Sequence, residues 1–307
     1  MIPICLITGF LGCGKTTFLK QIIAKEKDRR IVYLVNEFAS VDIDGELIKS
    51  GPLNVISIPG GSIFCKCLVS EFIKQLRWVA ETFDNKIDGL VIEASGMANP
   101  MVILDMLKDT TLDAYFRISR IVSVIDPRSL LALVHTLANI KEQIKASDTV
   151  LLNKVDLYSG EMVMKAEETL LSINQQANIV NTTFCNVVID LFPEQPFPLM
   201  IHGEYSKCRD PHFESVSITV SDPINIETLK EKLMFYKDEI YRAKGFVPSS
   251  EGTVFIDFSQ AGFTSQNITS RTVADHVIAF IIKGNASKEL KDFLDFTGKP
   301  ANVARGS

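Results

Sequence analysis

No apolar stretch in this chain is long enough to span a bilayer, so no transmembrane helix is expected. There is no surplus of positive charge either. Thirty-two Lys and Arg stand against 37 Asp and Glu, a net charge of −5, which argues against a general nucleic-acid or anionic-membrane binder. Histidine is scarce, four in 307 residues and never in a tract, which argues against bulk metal storage. Cysteines are few and scattered (5, 13, 65, 67, 185 and 208), too thin for a disulfide scaffold, and a reduced, cytoplasmic protein fits them better. There are no internal repeats. The chain enters a strand-like run at once, so no signal peptide is expected. The length allows two domains with a core in each.

What the sequence does have is concentrated in its first twenty residues. Ile4, Cys5, Leu6, Ile7 and Thr8 form a short run without polar alternation, the pattern of a strand buried on both faces. Gly9-Phe10-Leu11-Gly12-Cys13-Gly14-Lys15-Thr16-Thr17 follows, a full match to G-x-x-x-x-G-K-[ST]. Phe18, Leu19, Ile22 and Ile23 then recur at helical spacing. Strand, glycine-rich loop and helix are the context a phosphate loop needs. Gly9, Gly12 and Gly14 let the backbone approach a pyrophosphate closely. The helix N-terminus adds positive partial charge. Lys15 reaches the β- and γ-phosphates, and the Thr16 hydroxyl suits Mg²⁺.

Further buried-type strands are expected at 31–35, 54–58, 87–92, 118–125, 149–152 and 179–184, with helices between them. The fold class is therefore α/β: a P-loop domain with a mainly parallel sheet and helices on both faces. Glu37 ends the second strand, and Asp42 and Asp44 follow it. Carboxylates there lie on the ligand-binding edge and can serve Mg²⁺ or position a water; a solvated turn is the plainer reading. Glu93 ends the fourth strand and Gly96 follows. The acid suits Mg²⁺ or its water, and the Gly96 amide suits a γ-phosphate sensor. Asn153-Lys154-Val155-Asp156 follows the sixth strand. Asp156 can accept from guanine N1–H and the exocyclic amine, Asn153 can bind the base edge, and the Lys154 stem can lie across the ring. Such a site prefers GTP over ATP.

Cys65 and Cys67, one residue apart after the third strand, can both reach one soft metal ion, with Glu37 as a third ligand. Spacing alone favours two small buried or helix-start cysteines instead. The prolines at 193, 196, 198 and 211 mark a linker. The expected division is a GTPase domain at 1–186, a linker at 187–212, a smaller α+β domain with antiparallel strands at 213–297, and a disordered tail at 298–307. In the second domain strands are expected at 216–220, 253–258 and 276–282, and helices at 226–241 and 288–296.

The sequence resembles the CobW family of P-loop GTPases, relatives of the urease and hydrogenase accessory GTPases. The resemblance rests on the 9–17 loop, Val35-Asn36-Glu37-Phe38, Glu93-Ala94-Ser95-Gly96-Met97-Ala98-Asn99-Pro100, Asn153-Lys154-Val155-Asp156 and Tyr241-Arg242-Ala243-Lys244-Gly245, in the family's order. It implies a CobW C-terminal domain and GTP-dependent delivery of a metal such as zinc or cobalt, sometimes linked to cobalamin. The family usually carries Gly-Cys-x-Cys-Cys as its metal site. Here the loop reads Gly61-Ser62-Ile63-Phe64-Cys65-Lys66-Cys67-Leu68, and neither register keeps all three cysteines.

The expectation is thus a slow GTPase with switch behaviour. Lys15, Glu37 and Glu93 are its catalytic candidates. Gly9, Gly12, Cys13, Gly14, Lys15, Thr16, Thr17, Gly96, Asn153, Lys154 and Asp156 are its nucleotide-binding candidates. Thr16 and Glu93 would hold Mg²⁺; Cys65, Cys67 and Glu37 would hold Zn²⁺ or Co²⁺. The partner would be a client metalloenzyme or cofactor-dependent protein, and a homodimer is allowed. The rival reading is a nucleotide-gated chaperone for a corrinoid or other cofactor enzyme, without metal transfer of its own; a small-molecule kinase is a third, weaker reading.

Overall fold

The computed structural model describes residues 1–37, 54–59, 69–83, 86–194, 213–259, 262–268 and 276–300. The chain divides into two compact units, Met1–Cys208 and Arg209–Ser307.

In the first unit the order is β1 (Ile2–Thr8), α1 (Lys15–Lys25), β2 (Ile31–Glu37), β3 (Asn54–Pro59), α2 (Val69–Phe83), β4 (Gly89–Glu93), α3 (Ile103–Asp109), β5 (Phe116–Ile125), α4 (Pro127–Leu133), α5 (Ala138–Lys145), β6 (Thr149–Asn153), α6 (Gly160–Ile173) and β7 (Asn178–Thr182). Its seven strands lie in the order β3-β2-β4-β1-β5-β6-β7. Every pairing is parallel. Side chains alternate between the sheet faces, and both faces are apolar. Ile4 and Leu6 join Phe72, Leu76 and Val79 of α2 and Met106 of α3. Cys5 and Ile7 join Phe18, Leu19 and Ile22 of α1. This two-sided burial is why β1, β4 and β6 read as unbroken apolar runs.

The segment after β7 folds back on the α1 face, where Leu191 and Phe192 are buried. The Phe192 ring lies against Gly89, its nearest atom 2.2 Å from where a Cβ would be, and the Arg29 guanidinium lies over the ring at 4.9 Å from its centroid. The first residues of the expected linker therefore belong to the first core.

The second unit contains β8 (Phe213–Thr219), α7 (Ile226–Phe235), β9 (Ile240–Ser249), β10 (Gly252–Ser259), β11 (Gly262–Ile268), β12 (Val277–Lys283), α8 (Lys288–Thr297) and β13 (Lys299–Pro300). Its sheet runs β11-β10-β9-β12-β8-β13 and is antiparallel throughout. Leu229 and Leu233 of α7 and Leu290 and Leu294 of α8 cover the face that carries Ala243, Ile256 and Phe280.

Four expectations need correction. The helix expected at 226–241 stops at Phe235, and Ile240 begins a strand. β11 is an additional strand. The strand expected at 179–184 ends at Thr182. Lys299 and Pro300, placed in a disordered tail, pair with β8.

Candidate functional site

The carboxyl ends of β1, β4, β5 and β6 lie side by side in the parallel sheet, and the chemistry gathers there, as it does in open α/β sheets. Gly9 leaves β1 with φ 127°, and a Cβ on it would sit 2.1 Å from the Val124 carbonyl oxygen of β5. Gly12 and Gly14 also have positive φ. Gly14 is the N-cap of α1, with no side-chain cap and no acid in the first turn. That leaves the helix N-terminus able to receive an anion. Lys15 is buried, and its Nζ donates to the Gly9 carbonyl at 2.9 Å and the Phe10 carbonyl at 3.1 Å. The ammonium is thus held over its own loop.

Ile7 of β1 pairs with Glu93 of β4, so the loop and the acid are on adjacent strands. The Thr16 hydroxyl donates to Glu93 Oε1 at 3.0 Å. A hydroxyl and a carboxylate side by side are hard oxygen donors, the chemistry Mg²⁺ takes. The residues fit a nucleoside triphosphate with its Mg²⁺: an uncapped helix end and a lysine for the phosphates, two oxygens for the ion. Gly96 packs against the loop, where a Cβ would be 2.8 Å from Leu11 N. Gln143 of α5 fixes that segment by donating to the carbonyls of Gly96 (3.1 Å) and Ala98 (3.0 Å).

On the other side, Asn153 works within the protein. Its Nδ2 donates to the Cys13 carbonyl at 2.9 Å. Its Oδ1 accepts from the Thr182 hydroxyl (3.1 Å) and from Cys185 N–H (2.9 Å). Asn153 thereby clamps the phosphate loop to the segment after β7. Lys154, with φ 65°, sends Nζ to the Gly12 carbonyl at 2.7 Å and lies 3.6 Å from Asp126. Asp126 is the N-cap of α4, accepting from Ser129 N–H, and also accepts from the Tyr158 hydroxyl. Burial and the Asp126 carboxylate push the Tyr158 phenol well above its usual range. Asp156 is exposed and has no hydrogen bond or ion pair among the described residues, so its carboxylate is open to a ligand.

Cys13 is buried in the loop and Thr17 half-buried in the first turn of α1. Burial raises the Cys13 thiol and pushes Cys185 to about 12, so both stay neutral packing groups. Glu37 ends β2 on the same sheet edge. Cys65, Cys67, Asp42 and Asp44 lie outside the described residues. Among the described residues, no three His, Cys, Asp or Glu form a metal-holding group.

Sequence reasoning did not single out Asp126, Gln143, Thr182 or Cys185. Asp126-Pro127 carries a local signal, an N-cap acid before Pro at the first helical position. The other three act across long sequence separations, and nothing local marks them.

These features define a P-loop nucleotide-binding domain followed by an antiparallel α+β unit. The chain belongs to the CobW/HypB/UreG family, whose nucleotide-binding domain it matches over residues 3–181. It is 35% identical over 158 residues to the zinc chaperone YeiR of Escherichia coli, covering 51% of this chain and 47% of YeiR. It is 30% identical over 191 residues to zinc-regulated GTPase metalloprotein activator 1 of Schizosaccharomyces pombe, covering 60% of this chain and 46% of the relative. The aligned part thus spans about half the length of these two relatives. It is 27% identical over 263 residues to the zinc chaperone YjiA of Escherichia coli, covering 80% and 81% of the two chains. The structure of Zn(II)-bound YjiA GTPase from E. coli matches at a TM-score of 0.47 and 20% identity, over 97% of this chain and 99% of that one. No helix among the described residues is long and apolar enough to cross a membrane.

Proposed function

We propose that this chain is a slow GTPase that couples binding and hydrolysis of Mg·GTP to delivery of a metal to a client metalloprotein. The observation that carries the nucleotide part is the pairing of two half-sites through Asn153. The uncapped α1 N-terminus with Lys15 and the Thr16–Glu93 pair lies on one side of it, and the open Asp156 carboxylate on the other. Lys15 would neutralise the β- and γ-phosphates, moving from the carbonyls it now holds. Thr16 and Glu93 would hold Mg²⁺, which supplies charge neutralisation between the phosphates. Asp156 would accept two hydrogen bonds from guanine; adenine presents no matching donor pair. Glu37, at the end of β2, is the candidate to orient water. A cytoplasmic setting suits a thinly spread set of reduced cysteines.

Zinc is favoured over cobalt as cargo by the relatives, which are named zinc chaperones. Cys65, Cys67 and Glu37 are the proposed ligands, completed from outside the chain. The loop sequence favours a second reading, a nucleotide-gated chaperone without metal transfer of its own, because Ser62, Phe64 or Leu68 stands where the family's cysteines are expected.

Two measurements test this. Asp156→Ala should abolish the preference for GTP over ATP in a competition assay while leaving phosphate binding intact; unchanged preference would remove the guanine assignment. Zn²⁺ titration of the apoprotein against a chromophoric chelator should give tight binding that Mg·GTP strengthens and that joint replacement of Cys65 and Cys67 by Ser removes. No binding in either state would favour the chaperone reading.

A further inference from the structure

Phe184 stands out in the segment that Asn153 clamps. It is a large aromatic side chain, 69% exposed, with φ 52°. A bulky residue in the left-handed region is an outlier, and such positions persist only where the surroundings over-determine them. Here they do. Thr182 pairs in register with Asn153, and its hydroxyl donates to the Asn153 amide oxygen. Cys185 N–H donates to the same oxygen, while its buried thiol lies 3.5 Å from the Gly14 carbonyl. Asn186 N–H closes a turn on the Thr183 carbonyl, and Lys25 Nζ holds Asn186 Oδ1 and the Val187 carbonyl, each at 2.9 Å. Both flanks of Phe184 are tied down, and the ring between them is held out to solvent.

The location gives this exposure a use. Asn153 binds the residue after Phe184 and, three positions on, the chain presents Asp156. The Lys154 stem runs from the same strand end back to Gly12. A purine whose edge meets Asp156 has two faces to cover. The Lys154 stem suits one. An exposed aromatic ring on the neighbouring rigid loop suits the other, since base–aromatic stacking needs only a π-face.

We propose that Phe184 is the base-stacking residue of this site, its ring covering the face of the purine whose edge Asp156 reads. The assignment rests on the nucleotide reading above and deepens it. Stacking is blind to the base's hydrogen-bonding edge, so Phe184 sets affinity and Asp156 sets selectivity.

The test is titration of the full chain with a fluorescently labelled GDP, with unlabelled GDP, IDP and inorganic tripolyphosphate as competitors. Phe184→Ala should weaken GDP and IDP by about tenfold and leave tripolyphosphate unchanged. Phe184→Tyr should bind as the native chain does. Phe184→Trp, in a Trp78→Phe background that removes the only native tryptophan, should change its emission on adding GDP. Native-like GDP binding by Phe184→Ala would overturn the assignment and leave the ring to another partner. Equal loss of tripolyphosphate would also overturn it, because the loop would then act through the phosphate site. If the native chain itself binds no GDP, the nucleotide reading fails first.

Discussion

At Gly9 the phosphate loop leaves no room for any side chain. A methyl group there would lie 2.1 Å from a backbone oxygen of β5, and φ is 127°. Both a steric and a conformational term therefore oppose Gly9→Ala, together about 3 kcal/mol. Gly252 separates the two terms. It has nearly the same φ, 125°, but nothing within 4 Å of its Cβ position. Gly252→Ala should cost only the conformational part, about 1 kcal/mol. Urea unfolding of both variants checks this, each read in its own unit; equal losses would mean that the β5 carbonyl gives way.

At the scale of elements, β6 is the strand that joins the two halves of the site. Asn153 at its end makes three hydrogen bonds, to the phosphate loop and to the β7 segment. Asn153→Ala would strand a buried carbonyl, a hydroxyl and an N–H, at about 1–3 kcal/mol for each group left unpaired. Nucleotide affinity should fall for GTP and for tripolyphosphate alike, because the phosphate loop loses its tether. A loss confined to base-containing ligands would instead place Asn153 on the base edge. That clamp was not legible in the sequence. Cys13 and Asn153 are far apart in the chain, and N-K-x-D reads locally as a base site. The strands of the first unit were legible because burial on both faces leaves runs such as Thr149–Asn153 without polar interruption. The second unit was harder. Ile226, Leu229, Leu233, Tyr236 and Ile240 keep helical spacing past the true helix end, so the pattern ran on into β9. Tyr236 does pack, stacking on Phe293 of α8, but as a helix cap. β11, Gly-Phe-Thr-Ser-Gln-Asn-Ile, is an edge strand with mostly polar, exposed residues, and only its pairing with β10 defines it.

The whole molecule holds two sheets with different chemistry. The unit built on the parallel sheet carries Lys15, Thr16, Glu93, Asn153 and Asp156; the antiparallel sheet has its own core under α7 and α8. Units with separate cores unfold as separate cooperative transitions unless a large apolar interface joins them. Calorimetry of the full chain should therefore show two transitions. A ligand stabilises only the unit that binds it. At a hundred times its dissociation constant, Mg·GDP adds about 2.7 kcal/mol to the first unit. For a unit of this size that raises its midpoint by roughly 5–10 °C and leaves the second transition where it was. Lys15→Ala should remove the shift without removing either transition, since the ammonium contributes to the ligand more than to the fold. One transition that moves as a whole with nucleotide would show instead that the two cores unfold as one cooperative unit.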